Sequence, residues 1–382
     1  MAVQGIVDAH QARQIEINQT ATDRTLKLWG RMDFANLDAS WLAIQPKVSQ
    51  QIQAAQLAAA RTSDGYTSAL SAAYGFEPAA NRIVPEAFVG VDGTGRSATS
   101  LMHGAVTTTK EAVGAGLSRI QSFEAGATFL AAMMKTALAD VARASDTTSS
   151  VGKGYTVYAR VVEPGACSRC VILAGTTQFK PFKRHPACRC TVQPVPSDDG
   201  TFARDHSPAD SFNRMSEAQQ NRAFTNAGAQ SIRDGADISS VLSARRGSNG
   251  ISWSTRGYTP TPNSGRRMQL TTIGKRADGS PVRVYTTAEG TTRRGNFGQQ
   301  NAGLGVDDVR LNGSRYSSTK RVRLMPESIV SISDDLETRQ ILLRDAGYMQ
   351  ARGNTGAEIL AQQRADRAAA NEIYRSAGLP IG

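Results

Sequence analysis

The sequence predicts an α+β protein: a helical N-terminal domain, a small α+β module stabilised by a metal, and a basic, β-containing C-terminal region that ends in helices. Three observations predict it. Apolar residues recur at three- and four-residue steps through the first 150 residues. Val- and Tyr-rich strand patterns begin only after that point. All four cysteines fall in one short stretch, CSRCVILAGTTQFKPFKRHPACRC, from Cys167 to Cys190.

At 382 residues the chain has the length of two or three domains. Its apolar fraction, 40%, and its aromatic fraction, 6%, predict modest cores with elongated or partner-stabilised parts. No charged region followed by an apolar core opens the chain, so no secretory signal is expected. The most apolar window, Ala125 to Met134, is about half of a bilayer span. A soluble protein from a reducing compartment is the expectation, and there clustered cysteines favour metal over disulfides.

Residues 1–150 form the predicted helical domain. Leu37, Trp41, Ile44, Val48, Ile52, Ala55 and Ala59 share one helical face. Leu117, Ile120, Phe123, Ala127, Leu130, Met134, Leu138 and Val141 share another. FVGVDGTGRS (88–97) between them is a predicted loop, and DTTSSVGKG (146–154) is a linker or turn. The module spans 151–200: YTVYARVVE (155–163) reads as a strand entering the first cysteine pair, and TVQPV (191–195) as a strand leaving the second.

SDDGTFARDHSP (197–208) is a second linker, and 201–250 is a helical connection. In it Ser216 and Gln219 fit a capping box, the helix breaks near Asp234-Gly235, and a short helix runs from Ile238 to Gly247. Residues 251–325 are a basic, β-rich segment in which MQLTTIG and PVRVYTT are joined through ADGS as a hairpin, with TTRRGNFGQQNAGLG as an exposed loop. Residues 326–382 return to helix. There Asp334 with Glu337 and Thr355 with Glu358 are capping-box patterns, and Gly347 and Gly378 stand where C-terminal caps would.

The cysteines carry the chemistry. Cys167 and Cys170 form C-x-x-C; Cys188 and Cys190 form C-x-C, three residues after His185. Two thiolate pairs separated by a loop of roughly 15–20 residues is the spacing of a structural zinc site, which needs four soft or borderline ligands in a tetrahedron. On an extended strand Cys188 and Cys190 share a face, which gives a four-cysteine site. Alternatively His185 joins Cys167, Cys170 and one of Cys188 or Cys190, or it orients a thiolate from outside. A redox C-x-x-C would sit at a helix N-terminus after a strand, and inert buried thiols are the bland alternative. No carboxylate lies between Cys167 and Cys190, so a catalytic zinc with a neighbouring acid or base is not indicated.

Elsewhere the signals are weaker. Gly93-Thr94-Gly95-Arg96-Ser97 lacks the lysine and spacing of a P-loop and reads as a turn. His10, His103 and His206 are isolated, and no Ser-His-Asp order can be argued from them. Between Val241 and Met325, fifteen Lys/Arg stand against four Asp/Glu, which equals the whole chain's excess of +11. Arg245, Arg246, Arg266, Arg267, Arg293, Arg294, Lys320, Arg321 and Arg323 are therefore candidates for contact with nucleic-acid phosphates or an acidic partner. With few aromatics interleaved, such contact would be nonspecific.

The run GACSRCVILAG followed by RHPACRC resembles the phage Mu F-like (MuF) minor head protein family, at Cys167, Cys170, His185, Pro186, Cys188, Arg189 and Cys190. This resemblance covers about residues 150–200 and makes that stretch a MuF-like module. DGADISSVLSARRG, TTRRGNFGQ and VRLMPESI also look like stretches downstream of the module in minor capsid proteins of tailed phages. The resemblance implies a minor capsid (head morphogenesis) protein in the virion, inside the capsid near the portal, and in the host cytoplasm during assembly. Its implied partners are the portal protein, the major capsid or scaffold protein, and packaged DNA through phosphate contacts; no membrane is implied. Residues 1–150 would dock on the portal or shell, zinc would be structural, and the protein would act in packaging or delivery rather than as an enzyme. Some proteins with this module carry a toxin or ADP-ribosyltransferase domain. That enzyme class, a capsid protease, and a zinc-stabilised nonspecific nucleic-acid-binding protein are the competing readings.

Overall fold

The computed structural model describes residues 3–77, 79–163, 165–179, 188, 190–196, 207–247, 251–254, 257–260, 270–275, 279, 281–310 and 316–379. For 246, 247, 251–254, 257–260, 270–275 and 281–283 it describes the backbone alone. The fold mixes helix and sheet, and its N-terminal part is helical. Contacts divide the chain into two units: Met1–Ala166 with Leu173–Ser211, and Cys167–Ile172 with Phe212–Gly382.

The first unit is a helical bundle carrying a small sheet. Its helices are α1 (Val3–Trp29), α2 (Leu37–Ala60), α3 (Ser63–Tyr74), α4 (Ala98–Met102), α5 (Gly104–Gly114) and α6 (Arg119–Gly152). Ser118 starts α6 with a full capping box: its hydroxyl accepts from the Gln121 N–H while the Gln121 side chain reaches back. The predicted stripe on α2 is buried, apart from a partly buried Ile44. It meets Leu130, Met134 and Leu138 of α6 in one cluster with Trp29 and Trp41. The Trp29 ring stacks on Phe123 at 5.1 Å and meets Trp41 edge-on at 6.4 Å. Gly126 permits this closeness, because a Cβ there would collide with Thr109, Trp29 and the Ala105 carbonyl.

Two expectations are corrected here. Leu117 and Ile120 are exposed: Leu117 precedes α6, which begins at Arg119, and Ile120 lies in its first turn, outside the packed cluster. The stretch 146–154 is not a linker, since α6 runs on to Gly152. Its serines are the buried polar face of that helix: Ser149 bonds Thr67 of α3 at 2.7 Å, and Asp146 accepts from Ser63 at 2.7 Å. By length and composition α6 could cross a membrane, yet more than half of its most apolar window is buried inside the protein. The same helix also carries buried Asp140, Arg143 and Asp146.

The 88–97 loop forms as expected. Asp92 closes it, accepting from the Thr94 and Arg96 N–H groups and from both side chains. Burial raises the Asp92 pKa, but these donors outweigh it and bring it down to about 2. With the loop's amides on Asp92, a phosphate cradle is not available there.

The sheet of this unit is antiparallel, in the order β2-β1-β3. Its strands are β1 (Val157–Val161), β2 (Thr177–Gln178) and β3 (Thr191–Val195). β1 pairs along its full length with β3, from Val157↔Val195 to Val161↔Thr191. Both strands are buried at every position, as their Val-rich runs require. A short helical turn, α7 (Ser168–Val171), lies in the Cys167–Ile172 segment of the second unit.

The second unit continues with α8 (Glu217–Phe224), α9 (Asn226–Arg233) and α10 (Ile238–Gly247). The Ser216/Gln219 capping box forms, but the helix it starts stops at Phe224, where Thr225 takes φ 66° and caps α9. The hairpin β4 (Ile251–Ser254) and β5 (Gly257–Pro260) precedes a second, β6 (Leu270–Lys275) and β7 (Pro281–Thr287). The ADGS turn lies largely outside the described residues. The expected loop over 291–305 contains a helix, α11 (Asn296–Gly303), because Phe297 is buried against the unit's core. β8 (Asp308–Val309), β9 (Ser318–Thr319) and β10 (Arg323–Leu324) follow, with β10 extending the hairpin beside β7.

Helices α12 (Pro326–Ser331), α13 (Leu336–Asp345) and α14 (Gly356–Ser376) close the chain. The cap of α13 is Asp335, accepting from Thr338, one residue beyond the expected Asp334. Thr355 caps α14, and Gly347 and Gly378 take positive φ after α13 and α14.

Candidate metal centre

β1 delivers the chain to the first cysteine pair through a turn in which the Ala166 N–H bonds the Glu163 carbonyl and Gly165 takes φ 84°. Cys167 then caps α7, and its carbonyl accepts from the N–H groups of Cys170 and Val171 at 2.9 and 3.1 Å. Cys190 directly precedes β3, so the strand that pairs with β1 also carries the C-x-C arm.

The sulfurs of Cys170, Cys188 and Cys190 lie within 4.8 Å of one another, and all three residues are 2% exposed. Zn–S bonds of about 2.3 Å in a tetrahedron hold sulfurs roughly 3.8 Å apart. Three thiols converging at that range suit a thiophilic ion such as zinc. Both members of the C-x-C pair join the cluster, together with the second member of the C-x-x-C pair. Cys167 is half-buried and stands outside the trio. His185 lies outside the described residues, so Cys167 and His185 are both candidates for a fourth ligand.

The arm is wired into the helical bundle. Arg143 of α6 donates from Nη1 to the carbonyl of Cys188 at 2.8 Å and to that of Cys190 at 3.5 Å. Its Nη2 donates to Asp140 at 2.6 Å. Tyr66 donates to the Val192 carbonyl at 3.0 Å, and Gln193 donates to the Tyr74 hydroxyl at 2.7 Å. The Tyr66 ring stacks on His10 at 3.8 Å, and His10 Nε2 meets Asp146 at 2.9 Å. Burial first, then the Asp146 charge, pushes the Tyr66 pKa well up, so its hydroxyl stays a donor. Sequence reading missed this network. Its signal was present in Asp140, Arg143 and Asp146, charges at three-residue steps along the C-terminal half of α6.

The basic candidates separate into two groups. Arg245, Arg321 and Arg323 are buried and committed to the fold. Arg321 makes a two-bond pair with Asp345, with both contacts at 3.2 Å. Arg323 donates to the Ala346 and Glu289 carbonyls and covers the Tyr348 ring at 4.2 Å. Arg245 donates to Thr225 and faces Glu327 at 3.6 Å; burial lowers its pKa to about 10 against the pull of Glu327. These three are not a phosphate-facing surface. Arg293 and Lys320 are exposed and pair with Asp308 and Asp307. Arg294 covers the Tyr316 ring at 4.8 Å. Arg266, Arg267 and the side chain of Arg246 lie outside the described residues.

The family model of the VG15 protein matches residues 1–218. The chain belongs to the VG15 protein family. The match takes in the helical bundle, all four cysteines and His185. VG15 is a family of viral proteins, and membership points to a phage structural or morphogenesis-type protein. The basic segment lies beyond the VG15 match. No curated protein and no solved structure matches the chain.

Proposed function

We propose that the chain is a minor capsid (head morphogenesis) protein of a tailed phage, associated with the portal and acting in head assembly and in DNA packaging or delivery. The observation that carries this reading is the VG15 match over residues 1–218, which contains the whole MuF-like cysteine motif. The buried thiol cluster supports it. In such a protein a zinc ion held by Cys170, Cys188 and Cys190, with Cys167 or His185, supplies rigidity without an open coordination position. The helical bundle offers the docking surface, and the protein works by binding rather than by catalysis. Among the described residues, contact with packaged DNA then falls to exposed Arg293, Arg294 and Lys320, not to the buried arginines.

The test is co-purification with the portal protein of the same phage on a sizing column, with zinc measured across the peak. Co-elution with stoichiometric zinc is the expected result. Separate elution from the portal contradicts the portal association, and a zinc-free peak contradicts the metal.

A further inference from the structure

The C-x-C arm holds two of the three clustered thiols, and one side chain grips its backbone at both. Arg143 reaches the carbonyls of Cys188 and Cys190 from a single guanidinium nitrogen, while its second terminal nitrogen is held by Asp140 one helical turn away. Fixing both carbonyls restrains the backbone at both cysteines, and with it the direction in which their side chains leave the chain. A cavity of about 30 Å³ lies beside it, lined in part by Gln11, Asn18, Arg143, Asp146, Cys190 and Thr191, with room for about one or two water molecules. A planar fork can serve a carboxylate and two carbonyls at once; an ammonium on a flexible stem cannot hold that geometry.

We propose that Arg143 is a positioning residue for the metal centre: oriented by Asp140, it presets the C-x-C arm so that Cys188 and Cys190 address one ion. This rests on the metal reading above. Without the grip, the ion itself must order the arm, and binding weakens by the cost of that ordering. Partners that orient metal ligands typically account for about 10–100-fold in affinity.

The experiment uses the full chain, stripped of metal under reducing conditions. Zinc affinity is measured by chelator competition, and cobalt(II) absorption reports ligand number and symmetry. The proteins are wild type, Arg143→Gln, Arg143→Lys and Asp140→Asn, each checked for folding by circular dichroism. Wild type binds one ion, Arg143→Gln binds about 10–100-fold more weakly with altered cobalt bands, and Arg143→Lys resembles it despite keeping the charge. Asp140→Asn, which leaves the guanidinium in place, loses less and covers the case in which the Gln variant does not fold. Wild-type affinity and spectrum in both Arg143→Gln and Asp140→Asn overturn the proposal and leave the metal reading standing. Full rescue by Arg143→Lys overturns it in favour of simple charge. A wild type that binds no metal overturns both.

Discussion

Arg143 bonds the carbonyl of Cys188 across 45 positions of sequence, at 2.8 Å, and both residues are buried. With Tyr66 on Val192 and Tyr74 on Gln193, it makes the strand that carries the C-x-C arm part of the helical bundle.

Removal of a metal held there should therefore be felt in the bundle. A ligand that binds only the folded state at about 1,000 times its Kd adds roughly 4 kcal/mol. Calorimetry with and without a strong chelator should show the main transition of the helical unit falling on chelation and recovering with zinc. Replacing Cys170 or Cys188 with Ser should abolish that difference.

The His10–Asp146 pair ties α1 to α6, with Ser63 of α3 on the same carboxylate. Asp146→Asn should cost about 1–3 kcal/mol, the range for weakening buried hydrogen bonds to a shared acceptor. Urea unfolding followed by tryptophan fluorescence checks it, since Trp29 and Trp41 lie in the same bundle.

Much of this was legible in the sequence. The α2 stripe, both strands of the module, the caps at Ser216 and Thr355 and the helix from Ile238 to Gly247 follow from local rules of periodicity and capping. The clustering of Cys170, Cys188 and Cys190 followed from their spacing. What failed depended on tertiary partners. The serines of 146–152 look like a linker until α3 is there to receive their hydroxyls. Phe297 looks like a loop residue until it is buried. Arg321 and Arg323 look like a basic surface until Asp345 and Tyr348 lie beside them. Local sequence carries charge, but not whether that charge faces solvent.

Asp92 makes the 88–97 loop acid-sensitive. Its folded pKa of about 2 lies below its ordinary value, so the ionised form is favoured by folding. That contribution is complete above roughly pH 4–5 and is lost as pH falls towards 2. Asp92→Asn should remove this part of the pH dependence and cost about 1–3 kcal/mol at neutral pH. Stability measured from pH 2 to 7 in both proteins decides it.

The two groups of basic residues should separate experimentally. Asp345 receives Arg321, Arg367 and the Tyr374 hydroxyl. Asp345→Asn should destabilise the second unit by about 3–5 kcal/mol, seen as a lower urea midpoint. Replacing Arg293, Arg294 and Lys320 together with Gln should leave that midpoint within about 0.5 kcal/mol for each exposed site. It should instead flatten the salt dependence of DNA binding by up to about one unit of slope per lost phosphate contact. An unchanged slope would remove these side chains from the DNA contact.

The most direct test of the account is quantitative mass spectrometry of gradient-purified particles of the phage that encodes this chain, with heads separated from tails. The account predicts the chain in the head fraction, at a few copies per portal ring. Its absence from purified particles would contradict a role as a minor capsid protein.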